Sequence, residues 1–557
     1  MTVMPVSPAN SSDQRRWLNL AVGWHVLLTV VSLVGAFLFA TQIDLSVRWL
    51  RPLAGSLLIL AAGGSALAAW FIHRRQHRGR TLSLVVDYLG LVAFILGLAQ
   101  VTGVFVGIDS LANTIGRGLP FLFLVFLGYL VGAFGDRFDT YSMEQRFRRL
   151  GRGIMLVGGL LALLAVGVIP GVLAFVRQLA HPLPLALALG VLLFGGMFWL
   201  IWREPSARAL QAQTRHEAML NGYLFLSPNL LGFLLFFAGP LVLSLYVSFT
   251  DWDAFGTRNW IGLGNYSRIF HLDIAQLSSP TQRAAEVMDL TVFNELARFT
   301  LAGRSYVIGA ADKLFWLSLR NTVMFTLVAV PLSVVIALML ANLLNTKLPG
   351  IKFFRAVYFL PSIAAIVGIS LVWQWLYNAT VGFINYGILQ VVNLTNQLFG
   401  TSLADPQIRW LSESRTALLA IIILAAWQTI GFSTVLFLAG LQNIPSVLYE
   451  AATVDGAGKW AQFRNVTIPM LAPTTFFVVT TTTIRALQVF EEVYILTNPV
   501  GGPNNSTLTL VVYLYQNGFQ YFKQGYASAI AWVLFIVIFG VTLLQFRGQR
   551  SRGVYEA

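Results

Sequence analysis

Long apolar runs recur along this chain, separated by shorter polar stretches that carry most of its charge. A spanning helix needs about 20 apolar residues to cross about 30 Å of hydrocarbon. Twelve stretches qualify, near 17–40, 52–72, 82–106, 118–135, 153–176, 183–202, 222–249, 318–344, 355–378, 415–440, 470–496 and 526–546. The pattern predicts an all-α, polytopic membrane protein with about 12 transmembrane helices. The first run is long and has no convincing small-residue cleavage site, so it reads as a retained helix and not as a signal peptide.

The polar stretches divide the runs into two blocks of six. Residues 1–210 are almost pure Leu, Val, Ala, Gly and Phe with short loops, and read as an accessory transmembrane block without chemistry of its own. A charged linker, "WREPSARALQAQTRHEAMLNGY", leads into the second block, 211–550. That block holds a polar insertion at 250–317, whose "AAEVMDLTVFNELARF" has helical periodicity. Further polar segments lie at 379–414 and 498–525, and "TNPVGGPNNST" in the latter reads as a loop. The two halves show no convincing repeat.

Composition agrees with this class. The chain is 57% hydrophobic and 11% charged, and its mean hydropathy is +0.71. The net charge of +14 would suit nucleic acid if it formed one patch. Instead the Lys and Arg collect in alternate loops. With the N-terminus placed in the cytoplasm, the inside loops are 73–80, 136–152 (with Arg137), 203–220, 345–354, 441–469 and the tail after Arg547. The outer loops 40–51, 107–117 and 177–182 are poorer in basic residues, as the positive-inside rule requires. The charge is therefore a topology signal, with both termini cytoplasmic and the lipid bilayer as the solvent partner. No nucleic-acid partner is expected.

Several chemistries are excluded. The chain has no cysteine, and its six histidines are scattered, so no metal site or metal cofactor is expected. "GAGKW" resembles part of a phosphate-binding loop, but Thr453 stands where its first Gly is needed and Trp460 where Ser or Thr is needed. Catalytic residues are not expected, and any ATP must be used by another subunit.

The stretch "YEAATVDGAGKWAQFRNVTIPML", 449–471, is a polar, Gly-studded patch between two long apolar runs. Pro445 suits a helix's first turn, with Asn443 or Ile444 before it. Gly456 and Gly458 break that helix where a positive φ is cheap, and Pro469 fits the entry to the next span. An L-shaped pair of helices results. Ala451 and Ala452 give it a small-residue face beside Glu450, which suits a docking element; an amphipathic connector would look much the same.

The same stretch resembles the signature loop of bacterial ABC-importer permeases, E-A-A, three residues, G, nine residues, then I-x-L-P. Here it is Glu450-Ala451-Ala452, Gly456, then Val466-Thr467-Ile468-Pro469, with Val for Ile and Ile for Leu. "FFRAVYFLPSIAAIVGISLVWQWLYN", "AAWQTIGFSTVLFLAGLQNIPSVLYEAA" and "YLFLSPNLLGFLLFFAGPLVLSLYVSFTDW" are also similar to sugar-importer permeases of the maltose and glycerol-phosphate type. The resemblance covers roughly 220–550 and leaves the first 210 residues unmatched. It implies a bacterial inner-membrane permease domain that forms half of the translocation pathway for maltose, maltodextrin, trehalose or a related glycoside. It also implies three kinds of partner: a second homologous permease subunit, an ATP-binding subunit dimer seated on Glu450 and its loop, and an extracytoplasmic sugar-binding protein. The insertion 250–317 is a candidate contact for the last.

Polar residues inside spans are costly and are functional candidates by default. Thr481, Arg485, Gln488 and Glu492 in the span 470–496 fall at helical offsets 0, 4, 7 and 11, so all four are expected to project on one face, over about 16 Å. Such a stripe either lines a hydrophilic path or packs against the partner permease, and Arg485 could instead pair with Glu491 or Glu492. Trp427, Gln428 and Phe432 on the preceding span could stack on and bond a sugar, as could Trp373, Trp375 and Asn378. The competing class is an ion-coupled secondary transporter of twelve spans. Its one support, "GDRF" at 135–138, is short, and the halves lack matching loops.

Overall fold

The computed structural model describes residues 11–42, 50–135, 141–346 and 349–550. Arg137, most of "GDRF", part of the loops 40–51 and 345–354, and the end of the tail lie outside the described residues. The chain is mostly helical. Among the described residues, ten helices are long and apolar enough to cross a membrane, and two bent helix pairs raise the number to 12 if each counts as one span. The pairs are Ile351–Ile363 with Ile366–Leu376, meeting at 99°, and Lys459–Met470 with Ala472–Leu487, meeting at 66°. They fall on two of the apolar runs, 355–378 and 470–496. The first bend falls at Ala364 and Ala365, both extended with ψ of 146° and 126°, while Pro361 lies inside the helix that ends at Ile363. Another expectation fails at 107–117, where a loop was inferred but the helix Val104–Phe134 runs through.

The chain divides into two compact units, 1–230 and 231–557. In the first, Ser11–Thr41 packs on Leu50–His73, and His77–Val101 packs on Pro182–Trp202. Ala21, Ile72, Leu84, Ile201 and Leu210 form its core. Val104–Phe134 and Tyr141–Val166 approach very closely: a Cβ on Gly128 would lie 2.7 Å from the Gly151 carbonyl oxygen. Small residues permit such backbone contact where hydrocarbon offers no hydrophobic drive to pack helices. Arg80, buried, donates from Nε to the Ile201 carbonyl at 3.1 Å and from Nη2 to the Trp202 carbonyl at 2.9 Å. It thus satisfies carbonyls that the end of Pro182–Trp202 leaves unpaired.

In the second unit, Lys313–Leu344 is the central helix, flanked by Ala417–Gln442 and Ala472–Leu487. Its core gathers Phe325, Ala337, Leu424, Phe437, Val478 and Ile530. Asp312 caps the central helix by accepting from Phe315 N at 3.0 Å. The same buried carboxylate accepts hydrogen bonds from the Tyr513 hydroxyl at 2.6 Å and from Tyr526, tying three distant parts of the unit together.

The insertion corrects the helical reading of 284–299. It folds around a three-stranded antiparallel sheet, β1 (Leu272–Leu277), β2 (Asn294–Leu301) and β3 (Arg304–Ala310), in the order β1-β3-β2. Only Ala284–Glu286 forms a helical turn, of 3₁₀ type. Ala302 and Gly303, both at positive φ, close the β2–β3 hairpin in two residues. Pairing along that hairpin overrides the local helical period.

Candidate functional site

Two places in the second unit hold most of the residues that the sequence singles out. The first is the loop 441–469. Pro445 is the N-cap, one position earlier than a first-turn role, and the helix runs Ser446–Val454. Gly456 sits at φ +78°, in the region L side chains avoid, and Ala457 N bonds back to the Ala452 carbonyl at 2.8 Å. Gly458 does not share that role: its φ is −67° and it caps Lys459–Gln462. A π-helical turn, Phe463–Thr467, and Ile468–Met470 follow, so Pro469 does stand at the entry to the next span.

Side chains hold the two arms together. The Tyr449 hydroxyl and Thr467 Oγ1 are 2.9 Å apart, and Gln462 Nε2 donates to Thr453 Oγ1 at 2.9 Å and to the Ala457 carbonyl at 3.0 Å. The opposite face is bare. Glu450, Ala451 and Gly456 are exposed, Ala452 is half-buried, and Val454 (88%) and Trp460 (72%) are among the most exposed apolar side chains. None of the described ion pairs engages Glu450. An exposed apolar face with an unpaired carboxylate, mounted on a braced turn, is what a docking element requires.

The second place is a cavity of about 460 Å³. It opens where the helix Ala472–Leu487 stops. Gln488 is the C-cap, and a short helix, Glu491–Leu496, resumes after the break. The stripe inferred on one unbroken face is therefore corrected. Thr481 lies outside the cavity and bonds back to the Phe477 carbonyl at 2.7 Å. Arg485, Gln488 and Glu492 do line it, brought together by the break rather than by helical period. The break exposes backbone groups that hydrocarbon cannot satisfy. Thr509 Oγ1 answers the Val489 carbonyl at 2.9 Å, and Gln374 Nε2 answers that of Ile495 at 2.9 Å.

From the facing helix Ala417–Gln442 come Gln428 and Phe432, as the sequence suggested. Trp427 does not join them; it packs edge-on to Trp373 at 5.5 Å. Nor does Asn378, whose Oδ1 accepts from Thr380 N at 3.0 Å and Val381 N at 3.1 Å and so shapes a turn. Sequence reasoning missed Thr429, Thr482, Ser333, Ser362 and Glu491 in the lining. The "TTTT" run before Ile484 was the available signal, since alternate threonines there must face different neighbours. The alternative role for Arg485 is pairing with Glu491 or Glu492. None of the described ion pairs joins them, and the Arg485 guanidinium lies over the Phe432 ring, 5.6 Å from its centroid.

Residues 314–551, which contain both places, match the family model described as "binding-protein-dependent transport system inner membrane component". The probable ABC transporter permease protein YesP of Bacillus subtilis (strain 168) is 34% identical over 339 residues, 61% of this chain and 93% of its own. The chain belongs to this family. It is the permease subunit of a binding-protein-dependent ABC importer, a multi-pass inner-membrane transport component and not an enzyme. The ion-coupled alternative is thereby set aside. Two further relatives are the lactose transport system permease protein LacF of Rhizobium radiobacter and the trehalose/maltose transport system permease protein MalF of Thermococcus litoralis. LacF is 37% identical over 43% of this chain and 78% of its own, and MalF 33% identical over 45% and 79%. The permease differs from them in its extra N-terminal helices.

Proposed function

We propose that this permease forms half of the pathway of a sugar importer and takes its cargo through the cavity at the break after Leu487. The observation that carries the reading is the mixed lining. Arg485, Gln428 and Gln488 offer donors, Glu492 and the glutamine carbonyls offer acceptors, and Phe432 and Phe490 offer flat apolar faces. A saccharide needs all three, because its hydroxyls both donate and accept while its ring faces stack. The names of the lactose and trehalose/maltose relatives support a glycoside as cargo. Maltose, maltodextrin and trehalose are the first compounds to try.

In the same reading the second half of the pathway is a homologous permease subunit. The exposed face of 441–469 seats in an ATP-binding subunit, with Glu450, Ala451 and Ala452 at the contact, Gly456 setting the turn and Pro469 passing motion to the broken span. The loop and both termini face the cytoplasm, and the sheet-bearing insertion 250–317 faces the binding protein. The N-terminal six spans, taken as residues 1–210, are an accessory anchor.

The cavity is tested by uptake. Arg485→Leu removes a charge-assisted donor, worth roughly 1.5–3 kcal/mol, so sugar uptake should fall about 10- to 100-fold while the complex still assembles. Gln428→Leu should lower uptake less. Wild-type uptake in both variants would refute the cavity as the sugar path.

A further inference from the structure

Between the bent pair that ends at Leu376 and the span Ala417–Gln442 stands a 17-residue helix, Phe383–Phe399, that is not itself one of the candidate spans. Its inner face is fastened. Ile384 and Ile388 pack on the cluster of Tyr377, Trp410 and Ala420. Asn385, buried, donates from Nδ2 to the carbonyls of Ala379 at 3.0 Å and Ile408 at 2.9 Å, and its Oδ1 accepts from Trp410 Nε1 at 2.9 Å. The outer face carries two stripes. Phe383, Gly387, Val391, Leu394 and Leu398 recur every three or four residues over about 22 Å, and the four side chains are 55–68% exposed. Beside them Tyr386, Gln390, Asn393 and Gln397 form a polar stripe without charge, and no Asp, Glu, Lys or Arg occurs from 378 to 404.

Depth and charge select what covers the apolar stripe. The span Ala417–Gln442 has 26 residues, about 39 Å of helix. Centred on about 30 Å of hydrocarbon, it leaves about three residues outside at each end. Ala420 therefore stands at the hydrocarbon boundary, and there its carbonyl accepts from the Tyr377 hydroxyl at 2.8 Å. Ile384 and Ile388 meet the rest of the unit at this same level. Tyr377 and Trp410 are of the aromatic types that collect at such boundaries. An apolar stripe at that depth meets acyl chains, and an uncharged polar stripe suits headgroups of either kind. The loop 441–469 leaves from the other end of the same span, at Gln442. We propose that Phe383–Phe399 lies in the lipid interface on the side opposite that loop, with its apolar stripe among acyl chains and its polar stripe at the headgroups. Binding comes from buried apolar area alone, since the attraction to anionic lipid that basic interfacial helices add is absent. Through Tyr377, the C-cap of Ile366–Leu376, the helix ties the end of the bent pair to the membrane surface.

The chain has no cysteine, so single cysteines can be introduced and spin-labelled in the full permease. Val391→Cys and Leu394→Cys report on the apolar stripe, and Gln390→Cys and Asn393→Cys on the polar one. Each is placed in nanodiscs of phosphatidylcholine and of phosphatidylglycerol with the same acyl chains. The first two labels should lose access to a water-soluble nickel chelate and keep access to oxygen, as at a depth of about 5–10 Å. The other two should stay open to the chelate. The pattern should be the same in both lipids, and in the permease assembled with its partner subunits. Chelate access in Val391→Cys and Leu394→Cys overturns the inference, because the stripe then faces water. So does loss of access to both reagents on assembly, which marks a partner protein as the cover. Burial found only in phosphatidylglycerol also overturns it, because headgroup charge then drives binding.

Discussion

Substitution of Gly456 separates the backbone's part in coupling from that of the side chains around it. Gly456 sits at φ +78°, and a Cβ there would meet nothing within 4 Å. Crowding is therefore absent, and the whole cost of a side chain is conformational. An L residue pays roughly 1–2 kcal/mol to hold the left-handed region, with β-branched residues at the upper end and Asn near the lower. Against the alternative turns the loop could adopt, that is about a fivefold shift for Ala and about thirtyfold for Val. The assay is sugar uptake per ATP hydrolysed, in proteoliposomes holding the permease with its partner subunits. Coupling should fall in the order Gly, Asn, Ala, Val, with insertion into the membrane unchanged. If Val couples as well as Gly, the turn does not need its positive φ and the reasoning fails. If Asn is as damaging as Val, the defect is steric and the backbone account is wrong.

Two predictions concern the scaffold around the pathway. Asp312→Leu removes a helix cap, worth about 1 kcal/mol, and strands the hydroxyls of Tyr513 and Tyr526 at roughly 1–3 kcal/mol each. Thermal unfolding of the purified chain should shift down clearly, and Asp312→Asn, which can still cap, should shift it less; an unchanged midpoint in Asp312→Leu refutes the hub. Gly431→Ala would place a Cβ 2.3 Å from the Tyr358 carbonyl oxygen, a backbone atom that cannot turn aside. It should cost roughly 1–3 kcal/mol, more than Gly440→Ala, whose nearest neighbour is the Thr474 side chain at 2.6 Å; the reverse order in thermal stability would contradict the close approach.

Residues that act locally were legible in the sequence. Apolar run length gave the spans because a bilayer imposes one length on every helix, and Gly456 announced its positive φ because the turn must be made within two residues. What depends on partners outside the helical period was not legible. The 284–299 segment has a helical period, yet β2 forms because Arg304–Ala310 pairs with it. Thr481, Arg485, Gln488 and Glu492 keep helical spacing on paper. The chain breaks at Gln488, and the carbonyls freed there are answered by Thr509 and Gln374, far away in sequence. Trp427 and Asn378 were chosen for their chemistry, and packing on Trp373 and an Asx turn took them elsewhere.

The central claim is that another subunit's ATP hydrolysis moves these helices through the loop around Glu450. One measurement tests it directly: sugar uptake by reconstituted wild-type and Glu450→Lys complexes, with ATP supplied on the side that the loop faces. The account predicts that wild-type uptake requires hydrolysable ATP and survives collapse of ion gradients, and that Glu450→Lys inserts and assembles but does not transport. Normal ATP-driven uptake by Glu450→Lys would contradict it.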